Sequence, residues 1–169
     1  MTSQSLLNKK LILVVDDEPD VLDLVAEVLD MGIVHKAKDY DSARDYLLMH
    51  SYDIVILDIM GVNGFELLKI AVTRGFPTVM LTAHALSPEA LKKAIKLGAV
   101  SFLPKEAIPD LPSHLEDVVL GAGQPVWKKL FKRIGNLFDQ RFGPDWKEKD
   151  RFFKEFEAEL KKQENPPGS

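Results

Sequence analysis

The segment DIVILDIMGVNG, residues 53–64, constrains the fold of this chain more than any other stretch. A short aliphatic run, residues 54–57, leads directly into a single carboxylate, Asp58, and Gly64 follows six positions later. A continuous aliphatic run of this length is typical of a strand that is buried on both faces of a sheet. Because ligands of open α/β sheets bind outside the carboxyl ends of the strands, Asp58 is predicted to lie at a functional edge.

Strands and helices are predicted to alternate over most of the chain. Each of five predicted strands is followed by a stretch with helical spacing, the last of them over residues 110–120. The predicted strands are residues 10–15, 33–37, 53–57, 77–81 and 100–103. This alternation predicts an α/β fold with one five-stranded parallel sheet, doubly wound and flavodoxin-like, followed by a C-terminal helical extension.

The distribution of charged and turn-forming residues along the sequence indicates that the chain has two structural parts. Residues 1–123 carry 11 basic and 18 acidic side chains, whereas residues 124–142 carry five basic and one acidic. Glycine and proline at residues 121–125 mark the boundary between them. We therefore expect a flexible N-terminus at residues 1–9, an α/β domain at 10–123, a helical hairpin at 124–164 and a disordered tail at 165–169.

Composition excludes several classes of site. The chain has no cysteine, which removes disulfides, thiolate metal sites and thiol catalysis. No segment approaches the length of an apolar membrane span or of a signal-peptide core, so a cytoplasmic protein is expected.

Polar residues follow four of the predicted strands. They are Asp16 and Asp17 after the first, Asp58 after the third, Thr82 after the fourth and Lys105 after the fifth. Parallel strands place these residues at the same sheet edge. Three carboxylates in one crevice repel each other unless a cation is present, and an all-oxygen ligand set favours Mg²⁺.

This set of residues suits phosphoryl transfer to a carboxylate. Asp58 would be the nucleophile, and the metal together with Lys105 would neutralise the incoming phosphoryl oxygens. The Thr82 hydroxyl could donate a hydrogen bond to the phosphoryl group.

Four motifs carry a resemblance to a known family. VVDDEPDV contains Asp16 and Asp17, VILDIM contains Asp58, VMLTA contains Thr82, and GAVSFLPK contains Phe102 and Lys105. In their order and approximate spacing, residues 10 to about 121 resemble a response-regulator receiver domain of two-component signalling.

The resemblance implies a role for each matching residue. Asp58 would be the phosphoacceptor, and Lys105 would form an ion pair with the acid site or the phosphoryl group. Mg²⁺ would be bound by Asp17, Asp58 and the backbone carbonyl of Met60, with Asp16 reaching it through water. Thr82 and Phe102 would move together as the switch.

The loop after Asp58 is shorter than receivers usually have, and it lacks their common proline. His84, two residues past Thr82, is interpreted as a rim residue without ligand spacing to another histidine.

The C-terminal extension lies outside this resemblance. Eight of the fourteen aromatic residues fall between positions 127 and 156, and the first predicted helix has opposite apolar and basic faces. The apolar face could pack on the α/β domain or in a dimer, lie on an anionic membrane, or dock onto another protein. Membrane contact is the less favoured alternative. DNA binding is not expected, because two short helices with little charge on the second are a poor helix-turn-helix candidate.

The sequence thus predicts a receiver that is phosphorylated on Asp58 by a sensor histidine kinase or a phosphotransfer protein and then switches protein interactions. It would catalyse only its own phosphorylation and dephosphorylation. The alternative is a degenerate receiver that binds proteins or dimerises without phosphate. A homodimer through helix 4, strand 5 and helix 5, or through the C-terminal helices, also remains open.

Two other protein classes fit the sequence less well. A phosphatase using an aspartyl phosphate would need a second Asp at position 60, where Met60 stands, and an FMN carrier would not tolerate acidic residues in its first loop.

Overall fold

The computed structural model describes residues 5–83 and 86–164, and its strands form one parallel sheet in the order β2-β1-β3-β4-β5. The strands are β1 Leu11–Val15, β2 Ile33–Ala37, β3 Ile54–Asp58, β4 Thr78–Thr82 and β5 Ser101–Pro104. Every residue of β3, β4 and β5 is buried, which explains why most of their residues are apolar. The predicted five-stranded, doubly wound α/β fold with C-terminal helices is confirmed.

Helices cover both faces of this sheet and continue beyond it. They are α1 Pro19–Val28, α2 Tyr40–Met49, α3 Gly64–Thr73, α4 Pro88–Leu97, α5 Leu111–Leu120, α6 Trp127–Phe142 and α7 Arg151–Glu164. Capping residues define both ends of α4: the Ser87 side chain accepts the Ala90 amide hydrogen at 3.1 Å, and Gly98 ends the helix with a φ of 99°.

Two segments differ from their predictions. The connection between β5 and α5, for which the sequence predicted no regular structure before residue 110, contains a 3-10 helix, Lys105–Asp110. Its residues Ala107 and Ile108 are buried. Residues 5–9, predicted as part of a flexible N-terminus, instead pack on the domain. Leu7 is fully buried, and the Lys9 amide donates a hydrogen bond to the Met31 carbonyl at 2.9 Å.

The C-terminal hairpin comprises α6, the turn 143–150 and α7. Gly143, with a φ of 96°, ends α6 and begins this turn. The hairpin packs on the α/β domain, the first of the alternatives above, and its buried side chains are Trp127, Leu130, Phe138, Trp146 and Phe153.

His84 and residues 165–169, for which the sequence made predictions, lie outside the described residues. Within the described ranges, no helix has the length and apolarity that crossing a membrane requires.

Candidate functional site

Asp58 is the last residue of β3 and is 5% exposed. Beyond it the chain turns back sharply, because the Gly64 amide donates a hydrogen bond to the Ile59 carbonyl at 3.1 Å. A Cβ on Gly64 would collide with the Asp58 carbonyl oxygen. The short loop therefore requires glycine at position 64, where α3 begins.

The acids after β1 form a compact group. Asp16 is 1% exposed, and its Oδ1 accepts the Glu18 amide hydrogen at 2.9 Å, which folds the loop into a tight turn before α1. Carboxylate oxygens of Asp16, Asp17 and Glu18 lie within 4.8 Å of one another, although Asp17 and Glu18 are exposed to solvent. Local turn geometry alone thus concentrates negative charge at this edge.

Lys105 joins the acids of β1 to the acid of β3. Its Nζ lies 2.8 Å from Asp16 Oδ2, 3.3 Å from Glu18 Oε1 and 3.7 Å from Asp58 Oδ2. Burial lowers the pKa of Lys105, but its ion pairs with Asp16, Asp58 and Glu18 outweigh this effect and raise the pKa above its ordinary value. Lys105 is therefore a fixed positive charge among these carboxylates.

Glu18 belongs to this cluster but was not predicted from the sequence as a site residue. It directly follows Asp17, and its position beside Asp16 and Asp17 was the available signal. Its contact with Lys105 joins positions 87 residues apart, and only the folded sheet edge brings them together.

Burial raises the pKa of Asp58 to about 6, with a further contribution from the negative charge of Asp16. Lys105 opposes the shift, and Asp17 adds to it. At neutral pH, Asp58 is therefore mainly a carboxylate, and additional positive charge nearby would stabilise this form.

The residues present fit a hard cation. Asp16 Oδ2 is buried and accepts no well-aligned hydrogen bond, although Lys105 Nζ is close to it. Gly61, in the loop after β3, has a φ of 83°, and a Cβ there would lie 2.6 Å from Asp17 Cγ. The loop thus approaches the Asp17 carboxylate closely, and the surrounding donors are oxygen atoms of the kind that Mg²⁺ prefers.

The structure brings together only part of the predicted metal-ligand set. The compact acid group consists of Asp16, Asp17 and Glu18, and Asp58 is connected to it through Lys105. Met60 lies in the loop after β3, and its side chain is 57% exposed. Ligation by the Met60 carbonyl stays a prediction.

The two predicted switch residues are fully buried. Thr82 ends β4, directly after Leu81, which is the register partner of Asp58 on the neighbouring strand. Phe102 is in β5, with its ring centroid 6.4 Å from that of Phe138 in α6. The C-terminal hairpin therefore contacts a residue at the predicted switch position.

Comparisons with known proteins match the α/β domain. Residues 12–116 match the family model of the response regulator receiver domain. The phosphate regulon transcriptional regulatory protein PhoB of Klebsiella pneumoniae is 34% identical over 106 residues, which cover 58% of this chain and 46% of PhoB. The nitrogen assimilation regulatory protein NtrX of Azorhizobium caulinodans is 37% identical over 102 residues, covering 56% of this chain and 22% of NtrX. The chain thus spans less than half the length of these two relatives.

Solved structures show the same fold. The chemotaxis protein CheY4 of Vibrio cholerae aligns with a TM-score of 0.59 and 29% identity, over 64% of this chain and 98% of CheY4. The NtrX structure from Brucella abortus aligns with a TM-score of 0.59 and 30% identity, over 76% of this chain and 29% of NtrX.

Proposed function

Because the chain belongs to the response regulator receiver family, we propose that Asp58 accepts a phosphoryl group from a sensor histidine kinase or a phosphotransfer protein. The observation that carries this proposal is the contact of Lys105 with both Asp16 and Asp58 at the carboxyl edge of the sheet. Receivers have phosphorylation-dependent signalling as their general role. The transcriptional role named for PhoB belongs to that longer protein.

The transfer is a substitution at phosphorus. A carboxylate oxygen of Asp58 attacks, the bond between phosphorus and the donor nitrogen breaks, and that nitrogen keeps the electron pair and takes up a proton. Lys105, whose Nζ is already 3.7 Å from Asp58 Oδ2, stabilises the charge of the phosphoryl oxygens.

Asp16, Asp17, Asp58 and the Met60 carbonyl are the proposed Mg²⁺ ligands, and Glu18 adds negative charge beside them. When bound, Mg²⁺ supplies positive charge that neutralises the phosphoryl oxygens.

The output is a change in protein interactions rather than turnover of a substrate. The Thr82 hydroxyl donates a hydrogen bond to the phosphoryl group, and Phe102 responds to the changed packing at the end of β4 and β5. The only chemistry of this protein is then its own phosphorylation and dephosphorylation.

The test is intact mass after incubation with acetyl phosphate, with and without Mg²⁺. Wild type should gain a single phosphoryl adduct that depends on Mg²⁺, and Asp58→Asn should gain none. Asp30→Asn is the matched control, because Asp30 is an exposed aspartate outside the site. No adduct on wild type would contradict the proposal.

A second function, as a phosphate-independent binding or dimerisation module, has two supporting observations. The shortened loop packs its Gly64 against the Asp58 carbonyl, and Lys105 lies closer to Asp16 than to Asp58. Wild type that stays unmodified while binding its partner normally would favour this alternative.

A further inference from the structure

The C-terminal hairpin covers one particular surface of the domain, which we call the switch face and define as α4, β5 and α5. Phe138, fully buried, places its ring next to Phe102 of β5. At the start of the hairpin, the Val126 amide donates a hydrogen bond to the Val100 carbonyl at 2.9 Å. Part of the hairpin's apolar surface is therefore buried against the face that contains Phe102.

Ion pairs fix the hairpin to elements around this face. Arg133 of α6 donates to both carboxylate oxygens of Asp117 in α5, at 2.6 and 3.2 Å. Asp150, just before α7, pairs with Lys92 of α4 at 3.1 Å. Lys92 and Lys96 also place their ammonium groups 5.5 and 5.3 Å from the centre of the Phe152 ring. The hairpin is thus held in one orientation by charge as well as by apolar contacts.

A third ion pair connects the hairpin to the neighbourhood of the acid site. Arg141 of α6 pairs with Glu106, which directly follows Lys105 in the 3-10 helix. Lys105 is bound mainly to Asp16, at 2.8 Å, and lies farther from Asp58. Phosphorylation would replace the single negative charge of the Asp58 carboxylate with about two on the acyl phosphate, and would place them farther from the Asp58 backbone. This added charge would attract Lys105 and shift Glu106 relative to Arg141.

We propose that the C-terminal hairpin is the intramolecular partner of the switch face, and that phosphorylation of Asp58 releases it. This inference rests on the proposed function. Phe102 and Glu106 both contact α6, so a rearrangement at either residue weakens docking directly. Release exposes the switch face and the aromatic side of the hairpin together. While docked, α6 blocks a homodimer through α4, β5 and α5.

Tryptophan fluorescence reports on release through Trp127, which begins α6 beside the hydrogen bond from Val126 to Val100 of the domain. Trp146 packs on Phe138, Phe142 and Phe153 of the hairpin itself, so it reports on whether the hairpin stays folded. Trp127 is 4% exposed and Trp146 is 3% exposed. Acetyl phosphate with Mg²⁺ should increase acrylamide quenching of their fluorescence in wild type, and Asp58→Asn should show no change. Intact mass is measured on the same samples. An adduct without a change in quenching overturns this inference alone, whereas the absence of an adduct overturns the proposed function as well.

If phosphorylation favours the released state, docking should in turn oppose phosphorylation, because the docked hairpin stabilises the arrangement of Glu106 and Phe102 that phosphorylation disturbs. The double variant Arg133→Gln with Arg141→Gln should show increased quenching without phosphodonor. When acetyl phosphate is limiting, the ratio of phosphorylated to unphosphorylated protein should be on the order of fivefold higher in the double variant than in wild type.

Arg151→Gln is the control, because Arg151 is 91% exposed and pairs within α7 with Glu155. Circular dichroism verifies that all variants are folded. If the double variant matches wild type in quenching and in phosphorylated fraction, the hairpin is a static structural element and the inference is wrong.

Discussion

The ammonium group of Lys105 lies 2.8 Å from Asp16 Oδ2 and 3.7 Å from Asp58 Oδ2. In the unphosphorylated protein, Lys105 is thus held mainly by the acid after β1 and only secondarily by the proposed phosphoacceptor. This arrangement leaves the lysine near enough to follow new negative charge on Asp58. It also keeps two buried carboxylates from facing each other without compensation.

Replacing Lys105 tests whether its charge acts in the transfer. Lys105→Met should slow phosphorylation by acetyl phosphate about a hundredfold, because a fixed charge that stabilises the phosphoryl oxygens is lost. The rate is followed by intact mass over time. Lys36→Met is the control, since Lys36 forms an exposed ion pair with Asp23 away from the acids. Equal rates for wild type and Lys105→Met would exclude this role.

Mg²⁺ should stabilise the fold through the acids after β1. At a concentration of about ten times its dissociation constant, a ligand specific for the native state raises the free energy of unfolding by about 1.4 kcal/mol. Thermal unfolding with and without Mg²⁺ measures this shift. Asp17→Asn should reduce it strongly and Asp30→Asn should keep it. A shift that is equal in both variants would place the ion elsewhere.

Gly61 and Gly75 form a matched pair for testing the loop above Asp17. Both have positive φ angles, 83° and 81°, but a Cβ on Gly61 would strike the Asp17 carboxylate, whereas a Cβ on Gly75 would meet nothing within 4 Å. Gly75→Ala should therefore cost about 1 kcal/mol from backbone strain alone. Gly61→Ala should cost more and also weaken Mg²⁺ binding, as titrations monitored by thermal unfolding would show. If Gly61→Ala and Gly75→Ala reduce the free energy of unfolding equally and bind Mg²⁺ equally well, the loop accommodates the extra methyl group.

His114, buried in α5, should make the protein less stable in mild acid. Burial lowers the pKa of His114 from 6.5; Arg133 lowers it further, while Asp117 and Asp110 oppose the shift. Just below pH 6.5 the unfolded chain therefore binds more protons at this residue than the native state. The free energy of unfolding falls as pH decreases through this window, and the loss levels off below the native pKa.

Urea unfolding at about pH 7.5 and about pH 5.5 measures this dependence. Asp58 acts in the opposite direction, since its raised pKa, about 6, makes the native state bind more protons there and gain stability as pH falls. The comparison is therefore made between the Asp58→Asn variant and the double variant that carries both Asp58→Asn and His114→Gln. The His114→Gln variant should lose less stability on acidification. If both proteins lose the same amount, protonation of His114 does not limit stability.

Local sequence patterns were sufficient for most of the α/β domain. Aliphatic runs identified the central strands β1, β3 and β4, because strands buried on both faces favour apolar residues at nearly every position. The edge strand β2, IVHKA, is largely exposed and was identified by its place in the alternation of strands and helices. Parallel order then placed Asp16, Asp58, Thr82 and Lys105 at one edge without any knowledge of tertiary contacts. The residues that would bind the metal are harder to predict from the sequence, because metal binding depends on distances between side chains that spacing along the chain does not define.

The parallel sheet and the edge at which its acids gather follow from the sequence, because hydrophobic periodicity and the alternation of strands and helices are patterns along the chain. The amphipathic pattern of α6 showed that it needs a partner but did not identify one. That this partner is the face containing Phe102, that Leu7 is buried and that Glu18 contacts Lys105 became evident in the folded structure. These contacts join residues far apart in the chain, and complementary shape and charge select them only after the sheet has formed.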